Sequence, residues 1–147
     1  MPPLVTTHDD PIVAAIANDT FYGVIEAGDF QEIYRIPASA APTTFVTQLE
    51  LAVSEVNEEL AEWKAARELE AQSVLTAEQR LYYETAVYAW AYSLLIPLLP
   101  SLYAADQADG LEDDLEDNER RFRARAEGFL NRITGRAEPG DFSFSVI

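Results

Sequence analysis

Along the first 42 residues the hydrophobic positions keep no sustained period. Pro2, Pro3 and Pro11 precede Ile12, and Gly23, Gly28, Pro37 and Pro42 interrupt the stretch beyond it. This pattern predicts an N-terminal arm, 1–42, of local anchors separated by extended chain. One anchor is the apolar run from Ile12 to Ile16. Another is a short helix capped by Asp29 that carries Phe30, Ile33 and Tyr34.

From Thr43 or Thr44, either a suitable N-cap, the period becomes helical. Phe45, Leu49, Val53, Val56, Leu60 and Trp63 recur at spacings of three and four, and Glu50, Glu55, Glu58, Glu59, Glu62, Lys64 and Arg67 occupy the other faces. One amphipathic helix is expected, ending near Ala71 to Ser73. Thr76 followed by Gln79 is a capping box that opens a second helix. Leu81 to Tyr103 is apolar nearly all round, the mark of a central buried helix or of a membrane span. Glu84, Pro97 and Pro100 leave too short an uninterrupted run for a span, so the buried helix is expected, with Pro97 kinking or ending it. After a loop at 104–110, Leu111, Leu115, Phe122, Ala126, Phe129, Leu130 and Ile133 mark a third amphipathic helix. Its acids come first and its arginines later, as the helix dipole favours, and Gly135 stops it. Phe142, Phe144 and Val146 alternate with polar residues before Ile147, the period of a strand.

The chain therefore reads as one all-α domain. It is a small bundle of three long helices, 43–135, with a short N-terminal helix, an extended arm and a β-like tail, 136–147. A lone strand cannot satisfy its own backbone, so Phe142, Phe144, Val146 and Ile147, with Ile12 and Ile16 of the arm, are candidates for partner binding by β-augmentation. The second helix carries more aromatic surface than two other long helices can easily cover. Tyr88, Trp90 and Tyr92 are thus candidates for contact between copies.

Composition narrows the function. With 26 acidic against 10 basic residues, the net charge of −16 disfavours gripping nucleic acid or an anionic membrane. No Cys is present, which removes disulfides, thiolate nucleophiles and Cys-based zinc sites. The N-terminal MPPLVTTHDD lacks the features of a signal peptide, so synthesis into the cytoplasm is expected. The lone His8 lies in the proline-rich arm, without a positioned partner for nucleophilic catalysis. Gly110 and Glu116 have the spacing of a calcium loop, but Ala105 and Gln107 would fall where the first ligands must be. No phosphate-cradling glycine loop is present, and no acid pair has a fixed separation. The expectation is a non-enzymatic binding protein with no cofactor and no metal.

In order, the segments DPIVAAIANDTFY, AVSEVNEELAEWKAAR, LYYETAVYAWAYSLL and RRFRARAEGFLNRITGR, followed by the extended hydrophobic terminus, resemble the head-completion proteins of contractile-tailed temperate phages. The sequence departs from that pattern at IPLLPSL, residues 96–102. The resemblance implies a head-to-tail adaptor that forms a dodecameric ring beneath the portal, stabilises the DNA-filled head and offers the tail its docking surface. Implied partners are other copies, the portal protein and the tail terminator or next neck protein. DNA passes only through the lumen, no membrane is involved, and the place of action is the virion neck, assembled in the bacterial host cytoplasm. The alternative reading, an acidic DNA mimic that inhibits a nucleic-acid-binding enzyme, rests on net charge alone.

Overall fold

The structure, a computed structural model, describes residues 14–37, 42–99 and 115–136. In chain order they form β1 (Ala15–Ile16), β2 (Ile25–Glu26), α1 (Ala27–Ile33), α2 (Pro42–Glu59), α3 (Ala61–Leu69), α4 (Ala77–Leu95), a 3-10 turn (Ile96–Leu98) and α5 (Leu115–Thr134). The described residues are all-α apart from one two-residue antiparallel pair, in which Ala15 faces Glu26 and Ile16 faces Ile25.

α4 is the central helix and packs along both α5 and α2. Its sequence explains its place: Tyr83, Ala86, Val87, Tyr88, Ala89, Trp90, Ala91, Ser93 and Leu95 are all buried, so from Tyr83 onward buried positions fall all round the helix rather than on one face. The predicted capping box is formed, with the Thr76 hydroxyl accepting from the Gln79 amide and the Gln79 carboxamide accepting from the Thr76 amide. Helical hydrogen bonding gives way to the 3-10 turn where Pro97 removes a donor. α2 contributes the stripe read from its spacing, with Phe45, Leu49, Val53 and Val56 buried together with Ala52, and Leu60 is buried just past its end. α5 buries Ala126, Leu130 and Ile133, and Gly135 follows it in the left-handed conformation with φ 79°.

Three features differ from the sequence expectations. The first long helix is broken at Leu60, whose ψ of 1° interrupts the helical run. The hydrogen bonds Leu60 N–H to Val56 O and Lys64 N–H to Leu60 O persist across the break, so α3 continues the direction of α2 with a bend. Neither proline nor glycine stands there. The bend accompanies a change of role: α3 has no fully buried residue, and its Trp63 packs edge-on against Phe21, with centroids 6.0 Å apart. Second, Asp29 does not cap α1. The chain turns into the helix directly from β2, with Glu26 as the extended N-cap, and Asp29 lies inside the first turn, where its charge still suits the dipole. Third, the described part of the predicted arm is folded onto the bundle. Ile16, Phe21, Tyr22, Ile25, Ala27, Phe30 and Ile36 are core residues, because short turns bring apolar positions of no regular period onto one side. Of the third helix, 111–114 lie outside the described residues, as does the strand-like tail.

Candidate partner interfaces

The N-terminal segment is tied to the bundle by a polar knot. Asn18 donates to the Gly23 carbonyl and to the Tyr83 hydroxyl, both at 2.9 Å. Asn57 donates to Asn18 Oδ1 at 2.8 Å, and the Tyr83 hydroxyl donates to Asn57 Oδ1 at 2.6 Å. These residues come from the β1–β2 connection, α2 and α4, so the knot fixes where the chain enters the body. Arg80 adds a clamp: its guanidinium donates to the Tyr22 carbonyl, to the Val24 carbonyl at 2.6 Å and to the Glu84 carboxylate at 2.5 Å. Gly23, with φ 87°, lies against that guanidinium, and a Cβ there would collide with it.

Around the knot, charge and burial set the ionisations. The Phe21 amide donates to the Asp19 carboxylate at 2.8 Å, and with help from Lys64 it holds Asp19 below its usual value against the opposing effect of burial. Partial burial works against the Lys64 charge, but Asp19 and Glu68, each 3.4 Å away, outweigh it and raise the ammonium pKa. Burial pushes Tyr22 up to about 12, reinforced by Asp19 and Glu68, and raises Tyr83 and Tyr88 as well.

A second constellation joins α4 to α5. Arg123 lies 4.1 Å from the Trp90 ring centroid and donates to the Ser93 hydroxyl at 3.3 Å, while the Trp90 indole N–H donates to Glu55 of α2. Tyr92 is stacked on Tyr34 at 4.4 Å and meets Phe122 edge-on at 4.8 Å. Phe129 packs on Tyr82 at 5.8 Å, with Arg125 and Arg132 over its ring at 5.5 and 4.9 Å.

The sequence-predicted partner residues fall into two groups. Phe142, Phe144, Val146, Ile147 and Ile12 lie outside the described residues. Ile16 is buried in β1, where it belongs to the chain's own core. Tyr88 and Trp90 are each only 5% exposed, because α1, α2 and α5 cover the aromatic surface that three long helices were not expected to cover. Tyr92 alone of those three rings is half-buried. Among the described residues the exposed large hydrophobic side chains are instead Leu69, Val74 and Leu81 around the α3–α4 connection, with Val24, Ile33 and Leu51 elsewhere. No periodicity announces that Asn18 and Asn57 meet, Arg80 shows in sequence only as a cation in the first turn of α4, and the α5 arginines read there as partners of the helix dipole.

Among the described residues no group of three or more His, Cys, Asp or Glu is placed to hold a metal ion, and no helix is long and apolar enough to cross a membrane. What the surface offers is charge in separate bands. Glu50, Glu58, Glu59 and Glu62 are exposed on α2 and α3, whereas α5 carries Arg120, Arg121, Arg123, Arg125 and Arg132, half of the chain's 10 basic residues. Such an arrangement suits binding to charged protein surfaces. A family model described as phage head completion protein (GPL) matches residues 16–139. No curated protein and no solved structure gives a significant match.

Proposed function

The chain belongs to the phage head completion family, a structural component of the virion, and we propose that it acts there as a ring-forming adaptor between portal and tail. Twelve copies assemble beneath the portal once the head is full, stabilise it and present the surface on which the tail terminator or next neck protein docks. The observation that carries this reading is the family match, which runs from β1 through the end of α5. The protein acts by binding alone and takes part in no reaction.

Two physical features support the role. A net charge of −16 per copy gives a ring lumen through which DNA slides without adhering. The alternation of Phe142, Phe144 and Val146, ending in Ile147, suits strand addition to the portal or to a neighbouring copy, with Ile12 as a second strap on the opposite end of the chain. The DNA-mimic reading lacks comparable support, since the arginine band of α5 interrupts the negative surface that duplex mimicry requires.

Size-exclusion chromatography with light scattering and negative-stain imaging, on the chain alone and mixed with portal-bearing heads, tests the proposal. Rings, or saturable attachment at the portal vertex, are the expected result. A monomer that ignores the portal would refute it.

A further inference from the structure

The outer edge of α5 holds Arg121, Arg125 and Arg132, three exposed residues at spacings that place them on one side of the helix. Among the described residues none of the three is in an ion pair; Arg121 leans on Phe122, Arg125 on Phe129, and Arg132 on Phe129 and Tyr82. Between them Gly128 leaves a hollow of about 250 Å³ bounded by Ala124, Arg125, Phe129 and Arg132. The outer edge of α2 and α3 is its opposite in charge: Leu51, Glu58 and Glu62 are exposed, and neither glutamate has an ion-pair partner among the described residues.

The two edges also match in spacing. From Arg121 the α5 edge advances by four residues to Arg125 and by seven more to Arg132. Counted backward from Glu62, the other edge has the same steps, four to Glu58 and seven more to Leu51. Leu51 and Glu58 lie on α2, which rises per residue as α5 does, and Glu62 follows past the break at Leu60, where the Leu60 N–H to Val56 O and Lys64 N–H to Leu60 O bonds keep the helical step, so an antiparallel pairing brings all three positions together. Arg121 then faces Glu62, Arg125 faces Glu58, and the 46% exposed Leu51 meets the hollow beside Phe129 and the Arg132 stem.

We propose that the Arg121–Arg125–Arg132 edge of one copy docks antiparallel on the Leu51–Glu58–Glu62 edge of the next. The contact joins two different patches of the same chain, so it is head-to-tail and closes into a ring when the rotation between copies closes. The inference rests on the ring-forming reading above and names the surface that builds the ring.

Charge reversal tests it. The double variant Arg121→Glu/Arg125→Glu and the double variant Glu58→Arg/Glu62→Arg should each weaken self-association at least about a hundredfold, while circular dichroism stays that of the parent. The chain carrying all four reversals should regain rings, because the pairing is restored with its signs exchanged. Mixing the two double variants should also restore rings, with the variants alternating, since one then has two negative edges and the other two positive ones. Rings that form in the parent and survive both reversals overturn this interface and leave the adaptor reading standing. So do rings that survive but fail to dock on the portal, which would assign the arginine edge to the portal instead. A parent chain that stays monomeric both alone and at the portal overturns the adaptor reading itself.

Discussion

The rings of Tyr22 and Tyr83 stack with centroids 4.7 Å apart and planes 12° from parallel, but their hydroxyls differ in fate. The Tyr83 hydroxyl both accepts from Asn18 and donates to Asn57. The Tyr22 hydroxyl is buried and has no hydrogen-bond partner among the described residues. Two similar substitutions should therefore have opposite signs. Tyr83→Phe leaves Asn18 and Asn57 short of a partner and should lower stability by about 1–3 kcal/mol, whereas Tyr22→Phe removes a desolvated hydroxyl and should be neutral or stabilise by about 1 kcal/mol. Urea unfolding followed by circular dichroism measures both. Equal losses in the two variants would mean that the Tyr22 hydroxyl is satisfied.

The same burial predicts an alkaline limit. Tyr22 is pushed from 10.0 up to about 12, and Tyr83 and Tyr88 are raised too, so the folded chain holds these protons more tightly than the unfolded chain does. The Tyr22 contribution is complete below pH 10.0 and is lost as pH rises from there toward about 12, and those of Tyr83 and Tyr88 are lost over a range that extends higher. The urea midpoint should be flat approaching pH 10 and fall steeply beyond it, with tyrosinate absorbance from these rings rising together with loss of helicity. Tyrosinate that forms fully while the helices remain intact would contradict the account.

How far the sequence foretells this architecture depends on whether the information is local. The Thr76–Gln79 box, the stop at Pro97, the left-handed Gly135 and the apolar stripe from Phe45 to Leu60 are all patterns within a few turns of one helix, and all are present. The knot is not legible because Asn18 and Asn57 meet across 39 positions, with no periodicity to announce the pairing. Arg80 does leave a trace. A cation in the first turn of α4 opposes the helix dipole, and a local rule broken in that way points to a tertiary partner, here the carbonyls of Tyr22 and Val24. The aromatic surplus of α4 looks like surface for another copy only as long as residues 14–36 are an arm. Once Phe21, Tyr22, Phe30 and Tyr34 fold back, they and α5 cover most of it.

Backbone geometry sets the sign of two further substitutions. Ala71 ends α3 with φ 67°, and the Gln72 amide bonds back to the Arg67 carbonyl at 3.0 Å, a helix stop that favours glycine. Ala71→Gly should raise stability by about 1 kcal/mol by relieving the left-handed strain. Gly23 is the converse: its φ of 87° and the adjacent Arg80 guanidinium exclude a side chain. Gly23→Ala should lower stability by more than Ala71→Gly raises it, and should expose the β1–β2 connection to limited proteolysis. Thermal melts of the two variants, compared with the parent, give the signs directly.

Trp90 links α2 to α5 through a single indole. Its N–H donates to the Glu55 carboxylate on one side, while the Arg123 guanidinium lies 4.1 Å from its ring centroid on the other. A carboxylate drawing on the N–H enriches the ring face in electrons, which strengthens attraction for the cation above it. Arg123→Ala should thus lower stability by about 1–2 kcal/mol, combining loss of the cation–π contact with loss of the bond to Ser93. Glu55→Gln, which keeps an acceptor and removes the charge, should lower it by about 1 kcal/mol, since the half-buried carboxylate keeps some water of its own. Because both substitutions act on one ring, the double variant should lose less than the two separate losses added together, by about 0.5 kcal/mol. Strict additivity in that cycle would show that the indole does not transmit charge between α2 and α5, and that the two contacts hold the bundle independently.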